Sequence, residues 1–132
     1  MKDKRFEELE IWKLSLQITR EIYKLTSKDS IAEDTSFRDR IRNAIVSLST
    51  IIVEGYAKND NEEFTKHLEV AKVSCAEVRN KLYIAMAVDY LAENDFELLN
   101  QHLLNLSGKI DDMTAEMKKE RKKKRTRNVP KK

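Results

Sequence analysis

Two glycines and one proline in 132 residues leave almost no material for tight turns, and that scarcity constrains the fold more than any other feature of the chain. Antiparallel hairpins turn on glycine, asparagine and proline at fixed positions, and phosphate-cradling loops need clustered glycines. A chain without them is expected to be all-α. At this length it forms one compact unit, since two ordinary domains would need more residues. The longest apolar run, Leu82 to Val88, is far short of the ~20 residues that span a bilayer. The amino terminus MKDKRFEELE is charged where a signal peptide is apolar. A cytoplasmic protein with no membrane partner is therefore expected. One cysteine makes no intramolecular disulfide, and no Cys/His cluster has the spacing of a zinc site.

Periodicity predicts four helices in an antiparallel up-down-up-down bundle. In the first, about residues 5–27, Leu9, Trp12, Leu16 and Tyr23 share a face that Ile11, Leu14, Ile18, Ile22 and Leu25 widen. The second begins either at a Ser30/Glu33 capping box or at an Asp34 N-cap, then steps through Phe37, Ile41, Ala44, Leu48, Ile51 and Gly55 in alternating fours and threes. The third follows an Asp60/Glu63 capping box and carries the seam Phe64, Leu68, Ala71, Cys75, Val78, Leu82, Ala85. The fourth, capped by Asn94 with Glu97, reads Phe96, Leu99, Leu103, Leu106, Ile110, Met113, Met117. The bundle is expected over residues 1–117.

Beyond Met117 the composition changes. Residues 118–132 hold ten Lys/Arg against the single acid Glu120, while residues 1–117 hold 16 Lys/Arg against 22 Asp/Glu. Like charges three and four apart work against a helix, and Pro130 blocks its continuation, so residues 118–132 are expected to form a disordered basic tail. Its field attracts polyanions over a Debye length of ~8–10 Å. A further apolar row, Val46 and Val53 with Ala57 beyond, lies some 200° from the seam of the second helix. Val70, Val73, Ile84 and Val88 do the same on the third. Such rows are either the shoulders of a wide core or the face of a second subunit.

Several segments carry a family resemblance: Leu9 to Lys13, Ile22 to Thr26, Ile41 to Ala44, Ser47 to Gly55 and Ala71 to Glu77. Over about residues 6–115 the chain resembles the four-helix bundle proteins encoded in intervening sequences of 23S ribosomal RNA genes, also called S23 ribosomal proteins. The resemblance implies a non-enzymatic antiparallel bundle assembled as a homopentamer. A more distant similarity, to the accessory variability proteins of diversity-generating retroelements, implies nucleic acid and a reverse transcriptase as kinds of partner. The chain departs from the family pattern at Ser49, where the family has proline, and at Ile51, where it has asparagine. Asn43 and Val73 replace a second arginine and a glycine.

Catalytic candidates are weak. Cys75 lies on a seam, with neither His67 nor His102 on its face, and reads as a buried structural thiol. A di-iron site needs Glu-x-x-His pairs, which are absent here. No metal, cofactor or catalytic residue is expected. Glu54, next to Gly55, is a candidate interface carboxylate that pairs with Arg38 or Arg42, or else with Lys58 on the surface. Arg38 and Arg42 share a face at i,i+4 and could contact a phosphate, and Asp34 could pair with Arg38. Glu62/Lys66 and Glu77/Lys81 read as solvated-face pairs. The tail residues Lys118, Lys119, Arg121, Lys122, Lys123, Lys124, Arg125 and Arg127 are the main candidates for contacting an RNA or DNA backbone. No aromatic accompanies them to stack on a base. Two functions are consistent with this pattern. One is an oligomeric scaffold that binds nucleic acid through basic arms. The other is an adaptor whose bundle surface recruits a partner protein while the tail serves solubility.

Overall fold

The computed structural model describes residues 5–128, with side chains through Thr126. A 3-10 turn at Phe6–Glu8 leads into α1 (Glu10–Leu25), and a one-turn helix α2 (Asp29–Glu33) connects it to α3 (Thr35–Ala57). Then come α4 (Asn61–Ala87) and α5 (Glu93–Asn128). No strand occurs among the described residues, and the four long helices are the four expected.

Of the two proposed starts for α3, Asp34 is the N-cap, its carboxylate accepting from the Phe37 N–H at 3.2 Å. Ser30 and Glu33 lie inside α2 instead of forming a capping box. The other two capping boxes also fail to form. Asp60 caps α4 without a side-chain hydrogen bond, and Asn94 falls within the first turn of α5, which starts at Glu93. Glu63 is drawn to Lys66 at 3.6 Å, which replaces the expected Glu62/Lys66 pair. Where the chain needs a left-handed residue it uses Asp29, Asn59 and Asp89, at φ of 57°, 53° and 61°. Short polar side chains tolerate that conformation better than most. Around Asp89 the Tyr90 N–H bonds the Ala85 carbonyl at 2.8 Å and the Asp89 N–H bonds Met86 at 3.1 Å. This double closure ends α4 without glycine.

The core follows the seams unevenly. All seven seam residues of α4 are buried, and so are those of α5 apart from the half-buried Met113. In α3 the buried set is Ile41, Ile45, Leu48, Ile52 and Gly55. Phe37, Ala44 and Ile51 are only half-buried, so the inward face is rotated toward Ile45 and Ile52. In α1 the inward set is Ile11, Ser15, Ile18 and Ile22, while Leu16 and Tyr23 are 51% and 39% exposed. The expected face of α1, of which Leu9 alone is fully buried, is thus corrected by about a third of a turn. Ser15 can be buried because its hydroxyl donates to the Trp12 carbonyl at 2.7 Å.

Helix α1 packs against α3 and α5, and α4 packs against the same two, giving a square of neighbours. Cross-helix pairs fix the directions. Lys72 reaches Asp111 at 2.8 Å, Arg79 donates to Asn100 at 2.8 Å and Lys118 meets Glu69 at 3.6 Å, so α4 and α5 are antiparallel. Lys109 with Glu10 at 3.0 Å and His102 with Glu21 at 2.9 Å set α1 antiparallel to α5. The bundle is up-down-up-down.

The expected break at Lys118 is not found. Helix α5 is 36 residues long against 27 for α4, about 54 Å at 1.5 Å per residue. Each like-charge neighbour costs only ~0.2–0.5 kcal/mol, while Lys, Arg and Glu are strong helix formers and cations favour a helix C-terminus. Pro130, the expected stop, lies outside the described residues.

Candidate nucleic-acid interface

Met117 is the last buried residue of α5. One turn on, the Asn61 amide donates to the Glu120 carboxylate at 3.5 Å, at the first residue of α4. Past that contact the eight residues to Asn128 project about 12 Å beyond the end of the bundle. Arg121, Lys122, Lys123, Lys124 and Arg125 are exposed along it, and Lys119 is exposed at its root. Thr126 bonds locally, its hydroxyl donating to the Lys122 carbonyl at 3.0 Å. Lys118 belongs to the root of this helix, through its pair with Glu69. The side chain of Arg127 lies outside the described residues.

Arg38 and Arg42 do not join this site. They sit at the start of α3, and the basic projection leaves beside its end, some 15 residues or about 22 Å away. Arg38 does not pair with Asp34. Its guanidinium bonds Asp39 at 3.1 Å and the Ala32 carbonyl at 3.3 Å. Arg42 closes the carboxyl end of α1, donating from Nε to the Thr26 hydroxyl at 2.8 Å and from Nη2 to Ser27 Oγ at 3.0 Å and the Tyr23 carbonyl at 3.3 Å. Its guanidinium carbon stands 4.4 Å from the centre of the Tyr23 ring. A cation at a helix C-terminus meets the negative end of the macrodipole, and this clamp explains why arginine stands here. We expect Arg42→Ala to cost about 1–2 kcal/mol, from three partly exposed hydrogen bonds and a ring contact. Urea denaturation checks it, and Arg42→Lys should recover only part of the loss because lysine lacks the planar fork.

A second polar link at that end was not foreseen. The Tyr90 hydroxyl donates to the Asp34 carboxylate at 2.8 Å, joining the end of α4 to the start of α3. The Phe37 and Tyr90 rings pack beside it, 5.9 Å between centres. The Tyr90 hydroxyl first, and then the Phe37 N–H, hold the Asp34 carboxyl below its ordinary value of 3.8. A carboxylate with a lowered native pKa contributes stability that is present above its ordinary value and lost as pH falls through the native one. Thermal melts of the native chain and Asp34→Ala should therefore differ at neutral pH, native higher. They should converge on acidification below pH 3.8.

Val46 is 41% exposed, Val53 half-buried and Glu54 exposed. No ion pair to Glu54 is present among the described residues. With Tyr23 seated on Arg42, the antiparallel register of α1 and α3 brings Leu16 between the levels of Val46 and Val53. The apolar row of α3 is thereby extended across the α1/α3 groove. On α4 two separate apolar pairs are exposed, Val70 with Val73 near its start and Ile84 with the C-cap Val88 at its end, each residue at least 43% exposed, with exposed Glu77 on the same face between them.

Cys75 is buried, and loss of solvent pushes its thiol up to about 12, so it carries no thiolate near neutral pH. His67 Nδ1 donates to the Glu63 carbonyl at 2.9 Å and His102 Nδ1 to Glu21 at 2.9 Å. Among the described residues no three His, Cys, Asp or Glu side chains gather as metal ligands, and no helix is long and apolar enough to cross a membrane.

Comparison with individually curated proteins gave no match. A family described as 23S rRNA-intervening sequence protein matches residues 7–112, which takes in α1 to α4 and the first twenty residues of α5 and stops before the basic projection.

Proposed function

The chain belongs to the 23S rRNA-intervening sequence protein family, and on that premise we propose that it is a non-enzymatic, oligomeric helical scaffold that binds the backbone of nucleic acid through the basic end of α5. The observation that carries this reading is charge segregation in three dimensions. An acidic bundle ends in a projecting helix whose described residues after Glu120 include five exposed cations and no acid. Each phosphate neutralised releases counterions. Phosphate contacts carry no base code, so the binding is sequence-independent.

Exposed apolar side chains on two different helices, the α3 row and the α4 pairs, support assembly. A twofold dimer needs one self-complementary patch, whereas two unlike patches join head to tail and make a ring when the rotation between copies closes. The homopentamer implied by the family resemblance is such a ring. All copies in it point the same way, so the basic ends emerge on one side and act together through effective concentration. The cytoplasm is the compartment proposed, where a polyanion-binding scaffold meets its ligands.

Fluorescence anisotropy across a salt series tests the binding, with the full chain beside one that ends at Met117. About four to six phosphate contacts give a log–log slope near −4 to −5 for the full chain on duplex and a shallow one for the shortened chain. Equal, shallow slopes would favour the adaptor reading, for which the exposed apolar pairs of α4 are the specific support. For assembly, Val46→Glu is expected to lower the molar mass measured by light scattering with helicity unchanged. A native molar mass in that variant removes the α3 row from the interface.

A further inference from the structure

The basic end of α5 is shaped as well as charged. At 100° per residue, Lys119, Lys122 and Lys123 fall on one flank, where with Thr126 they line a shallow depression. Arg121, Lys124 and Arg125 fall on the other, about 160° around the axis. The helix thus carries two opposed cationic flanks, with no core to cover either. Resting on the reading that this end binds nucleic acid, we infer that its ligand is B-form duplex DNA, entered through the major groove.

Dimensions favour that ligand. A helix with side chains is ~10–12 Å across and the major groove of B-DNA is ~12 Å wide, so opposed cations meet phosphates on both walls. The projection of about 12 Å past Glu120 exceeds the groove depth of ~8.5 Å. The tip therefore seats while the bundle stays outside. That clearance matters, because Asp60, Glu62 and Glu116 are exposed around the root of the projection and repel phosphates brought flat against the bundle. Double-stranded RNA has a deep, narrow major groove that does not admit a helix. Single strands are held by stacking on aromatic rings, and residues 118–128 contain none.

Lys123 allows a test at matched charge. Lys123→Pro removes the backbone bond to Lys119 and crowds its carbonyl, ending the helix before Lys124 and Arg125 and so dismantling both flanks. Lys123→Ala loses the same single cation and keeps the helix. Full-length proteins are titrated by fluorescence anisotropy against duplex DNA, duplex RNA and single-stranded DNA and RNA of equal phosphate number, with circular dichroism confirming an intact bundle. The expected result is at least about tenfold tighter binding of the native chain to duplex DNA than to the other three, a preference that Lys123→Ala keeps while binding all four more weakly and that Lys123→Pro loses. Equal affinity for all four polyanions, indifferent to proline, overturns the groove and leaves a charged arm. A preference for duplex RNA or single strands also overturns it. If no polyanion binds the full chain better than a chain ending at Met117, the underlying nucleic-acid reading fails as well, and that result is distinguishable from the other two.

Discussion

Gly55→Ala is expected to destabilise the protein by about 1–3 kcal/mol, although alanine is the better helix former by ~0.5–1 kcal/mol. A Cβ on Gly55 would overlap the Cβ of His67, stand 2.7 Å from its Cγ and come within 3.2 Å of Phe64 Cδ1. The obstacle is the root of a side chain, so a rotamer change does not clear it, and α3 and α4 must move apart. That movement loosens the tightest part of a close-packed pair. Thermal unfolding should fall by at least about 5 °C. His67→Gly in the same chain should restore most of the loss and His67→Ala should not, because only the former removes the Cβ. A double-mutant cycle measures this coupling directly. Gly108 is the control. A Cβ there meets nothing within 4 Å, so Gly108→Ala should stabilise by about 0.5–1 kcal/mol. Two glycines in one chain are thus expected to respond with opposite signs.

The contrast shows what the sequence could and could not convey. Gly55 reads as the last residue of a seam near a helix end, which is correct. Its reason for being glycine lies on another helix, and no local spacing reveals it. The α4 seam was fully legible because apolar residues at fours and threes are flanked there by polar ones, leaving one face to bury. Helix α1 is apolar around much of its circumference, so periodicity offered two faces and the one holding Leu16 and Tyr23 was the outer. Capping boxes misled for a related reason. Asp60 and Glu63 have the spacing, but Lys66 competes for Glu63 at 3.6 Å. At the candidate site, the i,i+4 spacing of Arg38 and Arg42 suggested a shared anion. Arg42 instead reaches 16 residues back to Thr26, a partner visible only once α1 and α3 are folded together. The basic run was legible as charge and misjudged as shape, since like-charge repulsion is small beside the helix propensity of the residues that carry it.

Phe64→Ala should produce the largest loss of all, about 3–5 kcal/mol, against a total of ~5–15 kcal/mol for a domain of ordinary stability. Phe64 is 1% exposed in the first turn of α4. Its ring meets Tyr56 edge-on at 5.4 Å between centres, beside the Gly55 contact. Truncation removes a whole aromatic where the helices already touch backbone to side chain, so neighbours have little freedom to fill the space and the cavity persists. The urea midpoint should fall with the slope unchanged, since the bundle still unfolds as one unit. The effect should also reach the basic projection. Phe64 lies one turn from Asn61, whose amide holds Glu120, and Glu120 with Met117 marks where α5 leaves the bundle. Amide exchange over residues 113–120 should therefore quicken more in Phe64→Ala than in a variant of equal cost at the far end, such as Ile22→Ala. Equal exchange in the two would mean that the root of α5 is held by its own turn and not by this corner of the core. The projecting helix would then be independent of the packing beneath it.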